Sequence, residues 1–223
     1  MSRDLRATWP QALGTFLFPI LLILSVRWFL VEPFVIPSGS MLPNLLILDH
    51  VIVNKLSYGI RIPGQQQFLI HWSQPQRGDI VVFRYPENPD VFYVKRLVGL
   101  PGDRVSLEKG QIIVNGQPLP QKQLGSQGEF QQFAEAEKGY TVQYLQHEQS
   151  FFDEVQVPED RFFFMGDNRD QSSDSRVWGF VPQDHLVGRV VVIWLSCAKT
   201  LPGAEFICDP TTLRWDRFGV RLR

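Results

Sequence analysis

Three stretches hold side chains that could do covalent chemistry. The first is Pro33-Phe34-Val35-Ile36-Pro37-Ser38-Gly39-Ser40-Met41-Leu42-Pro43. Two serines flank a glycine, and prolines bracket them. Proline fixes φ and removes a backbone donor, so the segment is expected to be extended or turned rather than helical. Gly39 permits conformations or close approaches closed to other residues. A serine on such a bend can present its hydroxyl to a substrate, although Ser-Gly-Ser equally suits a surface turn. The second stretch is Tyr93-Val94-Lys95-Arg96. Side chains alternate along a strand, so Val91, Tyr93, Lys95 and Leu97 share one face and Phe92, Val94, Arg96 and Val98 the other. Each face then carries one cation among apolar residues. Either both cations reach water on long stems, or one is buried and gives up its proton. A lysine titrating near ~10.4 must fall to ~8 to act as a base near neutrality, a burial cost of about 3.3 kcal/mol. Arginine cannot take that role, because guanidinium stays protonated. The third stretch runs from Gly166 to Arg176 and holds Asp167, Arg169, Asp170, Asp174 and Arg176. It suits a solvated loop with local ion pairs, or one made rigid by internal acid–arginine pairing.

These groups need a rigid body to hold them. The chain has 223 residues, 44% of them apolar, enough for one domain with a packed core. A formal net charge of −1 argues against nucleic acid as a partner. The histidines are scattered, and no zinc-type spacing occurs, so neither a metal nor another cofactor is expected. Apolar β-branched runs at 51–55, 80–84, 91–98, 111–114, 162–165 and 187–195 read as strands. Asn115-Gly116 signals a hairpin turn. Residues 60–76 read as loop, and 121–150, polar and rich in glutamine, as an inserted, mobile or variable arm. Helical periodicity is nearly absent after residue 31, so the body is expected to be mainly β.

The exception is the N-terminus. Residues 7–26 carry no charged side chain and are bounded by Arg6 and Arg27. Twenty helical residues rise about 30 Å, the thickness of a bilayer's hydrocarbon core. Trp9 and Trp28 flank the run as an aromatic belt would. No small-x-small site follows, so an uncleaved anchor is expected rather than a secretory signal. The expected organisation is a short segment 1–6, a transmembrane anchor 7–31, and a β-rich domain 32–223. Cys197 and Cys208, the two cysteines of the chain, are expected to be joined on an oxidising side of the membrane.

The serine stretch, Tyr93–Arg96, Gly99-Leu100-Pro101-Gly102-Asp103 and the Gly166–Arg176 run occur in the order of the conserved boxes of bacterial-type type I signal peptidases (leader peptidases, peptidase family S26), and the chain resembles their single-anchor cyanobacterial or plastid-like form. The resemblance implies a membrane-bound Ser/Lys endopeptidase that removes signal peptides after small residues, in Ala-x-Ala fashion. It implies Ser40 as nucleophile and Lys95 as general base. The Ser40 N–H and the Ser38 hydroxyl become the oxyanion donors. The family's lysine-orienting serine maps onto Ser172, with Ser173 and Ser175 rivals on spacing. Asp174 and Arg176 map onto its salt bridge, and Asp167 and Arg169 are read as support for the site. Phe34, Ile36, Tyr93 and Val94 are expected to wall the substrate pocket. The implied setting is a cell (plasma) or thylakoid membrane, crossed once, with the N-terminus 1–6 cytoplasmic and 32–223 as an extracytoplasmic catalytic domain on the outer or luminal side. The expected partners are signal peptides of exported preproteins and the lipid bilayer. The rival readings are a tethered peptide-binding domain without catalysis and a related self-cleaving Ser/Lys protease.

Overall fold

A computed structural model describes residues 9–62, 68–137, 139–146 and 150–222. The expected N-terminal segment 1–6 and the first two anchor residues, Ala7 and Thr8, lie outside the described residues. Helix α1, Trp9–Phe29, forms over the uncharged run, and its side chains from Leu13 to Ser25 are exposed at every position. Among the described residues no helix is long and apolar enough to cross a membrane. The helix also stops short of the expected boundary at residue 31, because Val31 already begins a strand.

The body is mainly β, as its short β-branched runs require. Its largest sheet uses strands β1 (Val31–Val35), β2 (Asp49–Asn54), β3 (Ile80–Tyr85) and β4 (Asn88–Gly99). Three further strands, β5 (Gln121–Gln127), β6 (Phe130–Glu135) and β7 (Tyr140–Leu145), form a separate antiparallel sheet. The large sheet is completed by β8 (Arg161–Met165), β9 (Val181–Pro182) and β10 (Leu186–Ser196). Its order is β1-β2-β10-β3-β4-β8-β9, antiparallel throughout. β3 is apolar without alternation because both its faces are covered. Ile80 and Val82 pack with Ile36, Met41, Val53 and Ile193, whereas Val81 and Phe83 pack with Leu97, Phe162 and Phe164. A third cluster joins Val98, Phe163 and Met165 to a four-stranded sheet that includes Arg104–Glu108 and Gln111–Val114. Asn115 and Gly116, at φ 53° and 74°, turn Gln111–Val114 back onto Gln117–Pro118, the hairpin that Asn-Gly favours.

Two loop expectations are corrected. Gly59–Arg61 and Phe68–His71 pair antiparallel, so the stretch 60–76 read as loop holds part of one strand and the whole of another. Within the polar segment 121–150, residues 121–127, 130–135 and 140–145 are the strands of the β5–β7 sheet. Its alternation is hidden because β7 buries Tyr140, Val142 and Tyr144 on one face and Gln143 on the other.

Candidate active site

β4 carries Lys95 into the body of the sheet, where only 5% of it remains exposed. Burial lowers its ammonium from 10.5 to about 8, against the pull of Asp174 and Asp167, which favour the charge. Its Nζ lies 2.5 Å from Ser40 Oγ. Ser40 sits in a single 3-10 turn, Gly39–Met41, entered from Ser38 in extended conformation. The flanking prolines keep that turn from growing into a helix. Ser38 Oγ is 3.3 Å from Ser40 Oγ, so both hydroxyls and the amine meet at one point.

The Gly166–Arg176 loop is built onto this turn. Asn168 donates from its backbone N–H to the Ser40 carbonyl at 3.1 Å and from Nδ2 to the Gly39 carbonyl at 3.2 Å. Gly166 is required by close approach, since a Cβ there would lie 2.5 Å from the Ser40 carbonyl oxygen. Asp174 accepts from Gly166 N at 2.9 Å and from Arg176 Nε and Nη2, each at 2.8 Å.

The other charges of the loop pair outward, which corrects the expectation of internal pairing. Asp167 is bound by Arg96 Nε and Nη2 at 2.6 and 2.7 Å, and by Asn44 Nδ2 at 2.6 Å. Arg169, fully buried, donates to both carboxylate oxygens of Glu135 and to Tyr144 Oη. Asp170 accepts from Leu145 N at 2.7 Å and from Ser150 Oγ. Thus β7 and the end of β6 form the platform on which the loop rests.

The three serines of the loop separate. Ser175 Oγ accepts from Phe164 N at 2.9 Å and is committed to the core. Ser173 lines the groove beside Ser40. Ser172 Oγ is buried against Gly166 and has no partner among the described residues, so no hydrogen bond joins it to Lys95 here.

A groove of about 860 Å³ runs over Ser40 and Lys95, and Phe34, Ile36, Tyr93 and Val94 all line it. Ile36, 2% exposed, backs the groove from the core rather than standing in it. Tyr93 is held by stacking on Tyr85, with ring centroids 4.5 Å apart. Phe92 was not anticipated. It meets Phe34 edge to face at 5.4 Å and stands at the groove's margin. β1 is an edge strand, and residues 92–95 of β4 pair with β3 alone, because β8 joins only from Arg96. Among the described residues, both strands therefore keep backbone groups beside the groove with no strand partner.

Away from the groove, Cys197 and Cys208 are joined as a disulfide. They form, with His50, a group of potential metal ligands among the described residues. Both sulfurs are spent in the bond, so this donor set does not fit a metal.

The signal peptidase, peptidase S26 family matches residues 9–195 of the chain. The chain belongs to that family. Its relatives include signal peptidase I of Pseudomonas fluorescens, 42% identical over 203 residues, covering 82% of this chain and 72% of the relative. Signal peptidase I of Rickettsia felis is 36% identical, covering 86% of this chain and 82% of the relative. A crystal structure of a signal peptidase I from Enterococcus faecalis V583 aligns at 30% identity and a TM-score of 0.38, covering 52% of this chain and 97% of that one. The family match spans the groove and the whole Gly166–Arg176 loop, and ends before Cys197. The chain is thus a peptidase of this family, and the lysine, the serines and the groove lie inside the matched span.

Proposed function

We propose that the protein is a membrane-bound serine endopeptidase that removes signal peptides from exported preproteins. The observation that carries this reading is the 2.5 Å contact between Ser40 Oγ and a buried Lys95 lowered to about 8. With a base near 8, about a tenth of the enzyme holds a neutral amine at pH 7. That amine takes the Ser40 proton as Oγ attacks the scissile carbonyl. The tetrahedral oxyanion forms between the Ser40 N–H and the Ser38 hydroxyl. The Lys95 ammonium then protonates the departing amine, and a water, deprotonated in turn by Lys95, releases the acyl chain. Ser172 is assigned to orient Lys95 once its hydroxyl rotates. The ion pair of Asp174 with Arg176, and the pairs made by Asp167 and Arg169, hold the loop around the dyad.

Substrate enters as an extended strand between β1 and β4 and uses their free backbone groups. Alternate side chains then face the pockets of Phe34, Ile36, Tyr93 and Val94, so the first and third residues before the cut must be small. The apolar surface of α1 is assigned to a bilayer, single-pass in the cell or thylakoid membrane, with the N-terminus cytoplasmic and the β body on the outer or luminal side. Substrates that are themselves inserted then arrive with their cleavage sites just outside the lipid.

The test is incubation of the full chain with a preprotein, followed by mass analysis. A single cut after a small residue, lost in Ser40→Ala, is expected. Binding without a cut, and no labelling of Ser40 by a serine-reactive acylating agent, would favour the non-catalytic peptide-binding reading instead.

A further inference from the structure

Asn168 has no part in the chemistry just described, yet it makes the loop's hydrogen bonds to the serine turn. It is 2% exposed and lines the groove. Its Nδ2 has two acceptors, the Gly39 carbonyl and Gln171 Oε1, each at 3.2 Å. The Gly39 carbonyl is held a second time by Leu42 N at 3.1 Å. A peptide unit is planar and trans, so the Gly39 C=O and the Ser40 N–H point in opposite directions. Fixing the carbonyl inward on Asn168 therefore fixes the N–H outward. Rotation of that one peptide unit would replace the donor by a carbonyl oxygen and repel the developing oxyanion. Gly39, lacking a side chain, resists such rotation least of all residues.

Asn168 is itself immobilised. The segment around it bridges to Gln143 of β7, whose N–H donates to the Asp167 carbonyl at 2.9 Å. On one side of it Asp167 is clamped by Arg96, and on the other Arg169 is clamped by Glu135. The β5–β7 sheet thus transmits its rigidity to the serine turn through Asn168, whose backbone N–H holds the Ser40 carbonyl and whose side chain holds the Gly39 carbonyl. We propose that Asn168 is a positioning residue that aims the Ser40 N–H at the reacting carbonyl oxygen. The inference rests on the reading of Ser40 as nucleophile.

The test uses the full chain in detergent, a preprotein substrate, and a peptide aldehyde that forms a tetrahedral adduct with a catalytic serine. Asn168→Ala removes the donor, and the isosteric Asn168→Asp turns it into an acceptor facing the Gly39 carbonyl. Each is expected to lower kcat about 10- to 100-fold, less than outright loss of an oxyanion donor, with KM changed by less than about threefold. Aldehyde affinity should fall by the same factor as kcat/KM, and the acid limb of the Asn168→Ala pH profile should stay in place. If Asn168→Ala folds poorly, Asn168→Asp decides. Either folded variant with native kcat, or a kcat loss without loss of aldehyde affinity, overturns the assignment. Activity that survives Ser40→Ala overturns the underlying reading and this one with it. A dead Ser40→Ala beside a native-rate Asn168→Asp overturns this one alone.

Discussion

Lys95 and Arg96 are neighbours on one strand, both buried, and the two faces of β4 treat them in opposite ways. On the face shared with Tyr93, burial lowers Lys95 to about 8, and the attraction of Asp174 and Asp167 does not make up for it. On the other face, burial also works against the charge of Arg96, but Asp167 outweighs it and holds the guanidinium above its usual range. Asp167 meets Arg96 through two hydrogen bonds, and the Tyr140 ring lies 3.9 Å from its guanidinium carbon. The difference is one of partners rather than of depth. A buried cation with a hydrogen-bonded carboxylate is a structural charge, and one whose near partner is a hydroxyl is available as a base.

The largest expected effect breaks the Lys95 side of this contrast. Lys95→Arg keeps a cation but removes the group that can lose its proton. Activity is expected to fall about 1,000-fold or more. In the native enzyme, activity should rise with pH through about 8, because only the neutral amine can take the Ser40 proton. A kinetic pH profile of both proteins checks this, and an arginine variant retaining most of its rate would falsify the dyad.

The surroundings of Lys95 were legible in sequence and those of Arg96 were not, for a physical reason. Ser40, Lys95 and the Gly166–Arg176 run sit in short local patterns, where prolines, glycines and a cation in an apolar strand each state a constraint. Arg96 and Arg169 depend on partners far along the chain. Arg169 meets Glu135, 34 positions away, in a segment whose composition reads as loop. No local rule marks that glutamate, because its burial follows from the arginine and not from its neighbours. Asn44, which ties Asp167 to the Thr141 carbonyl, is equally silent. Asn168 lies within the Gly166–Arg176 run, but its bond to the Gly39 carbonyl becomes visible only in three dimensions. The fold followed the same division. The apolar strands of the large sheet could be read directly, whereas β5–β7, whose inner cluster is Tyr140, Val142 and Tyr144 in a glutamine-rich stretch, could not.

The next effects sharpen the comparison through stability, and they have opposite signs. Arg96→Met leaves the Asp167 carboxylate buried and without its guanidinium, though Asn44 still donates to it, which should cost about 3–5 kcal/mol. Lys95→Met removes a buried group that folding must desolvate. The fall from 10.5 to about 8 corresponds to about 3 kcal/mol, so this inactive variant should be more stable at pH 7 by up to that amount. The sign follows from proton linkage. Below about 8 both folded and unfolded chains hold the proton and the full burial cost is felt. Between about 8 and 10.5 the unfolded chain binds more protons, so native stability rises with pH, and the advantage of the methionine shrinks. Urea unfolding in detergent at pH 7 and pH 10 measures both variants. Destabilisation by Lys95→Met at pH 7 would mean that the lysine is paired after all.

The smallest expected effect asks whether the two faces are independent. Tyr140 covers the Arg96 guanidinium with its ring and donates from Oη to Glu135 Oε1 at 3.1 Å. Two substitutions separate these contributions. Tyr140→Phe keeps the aromatic face and loses a hydrogen bond to a carboxylate, about 1.5–3 kcal/mol. Tyr140→Leu loses that bond and the cation–π contact as well, a further 1–2 kcal/mol or so at a desolvated site. The increment between the variants therefore isolates the ring. Neither residue touches the groove, and Asp167 still holds Arg96 in both, so the pH at which activity rises should stay near that of the native enzyme. The increment is read from urea midpoints and the independence from the pH profile. An equal loss in both variants would show that the ring adds nothing measurable to the hold of Asp167 on Arg96. A shifted pH midpoint would show that the Arg96 side of β4 also sets the proton affinity of Lys95, joining the two faces into one electrostatic unit.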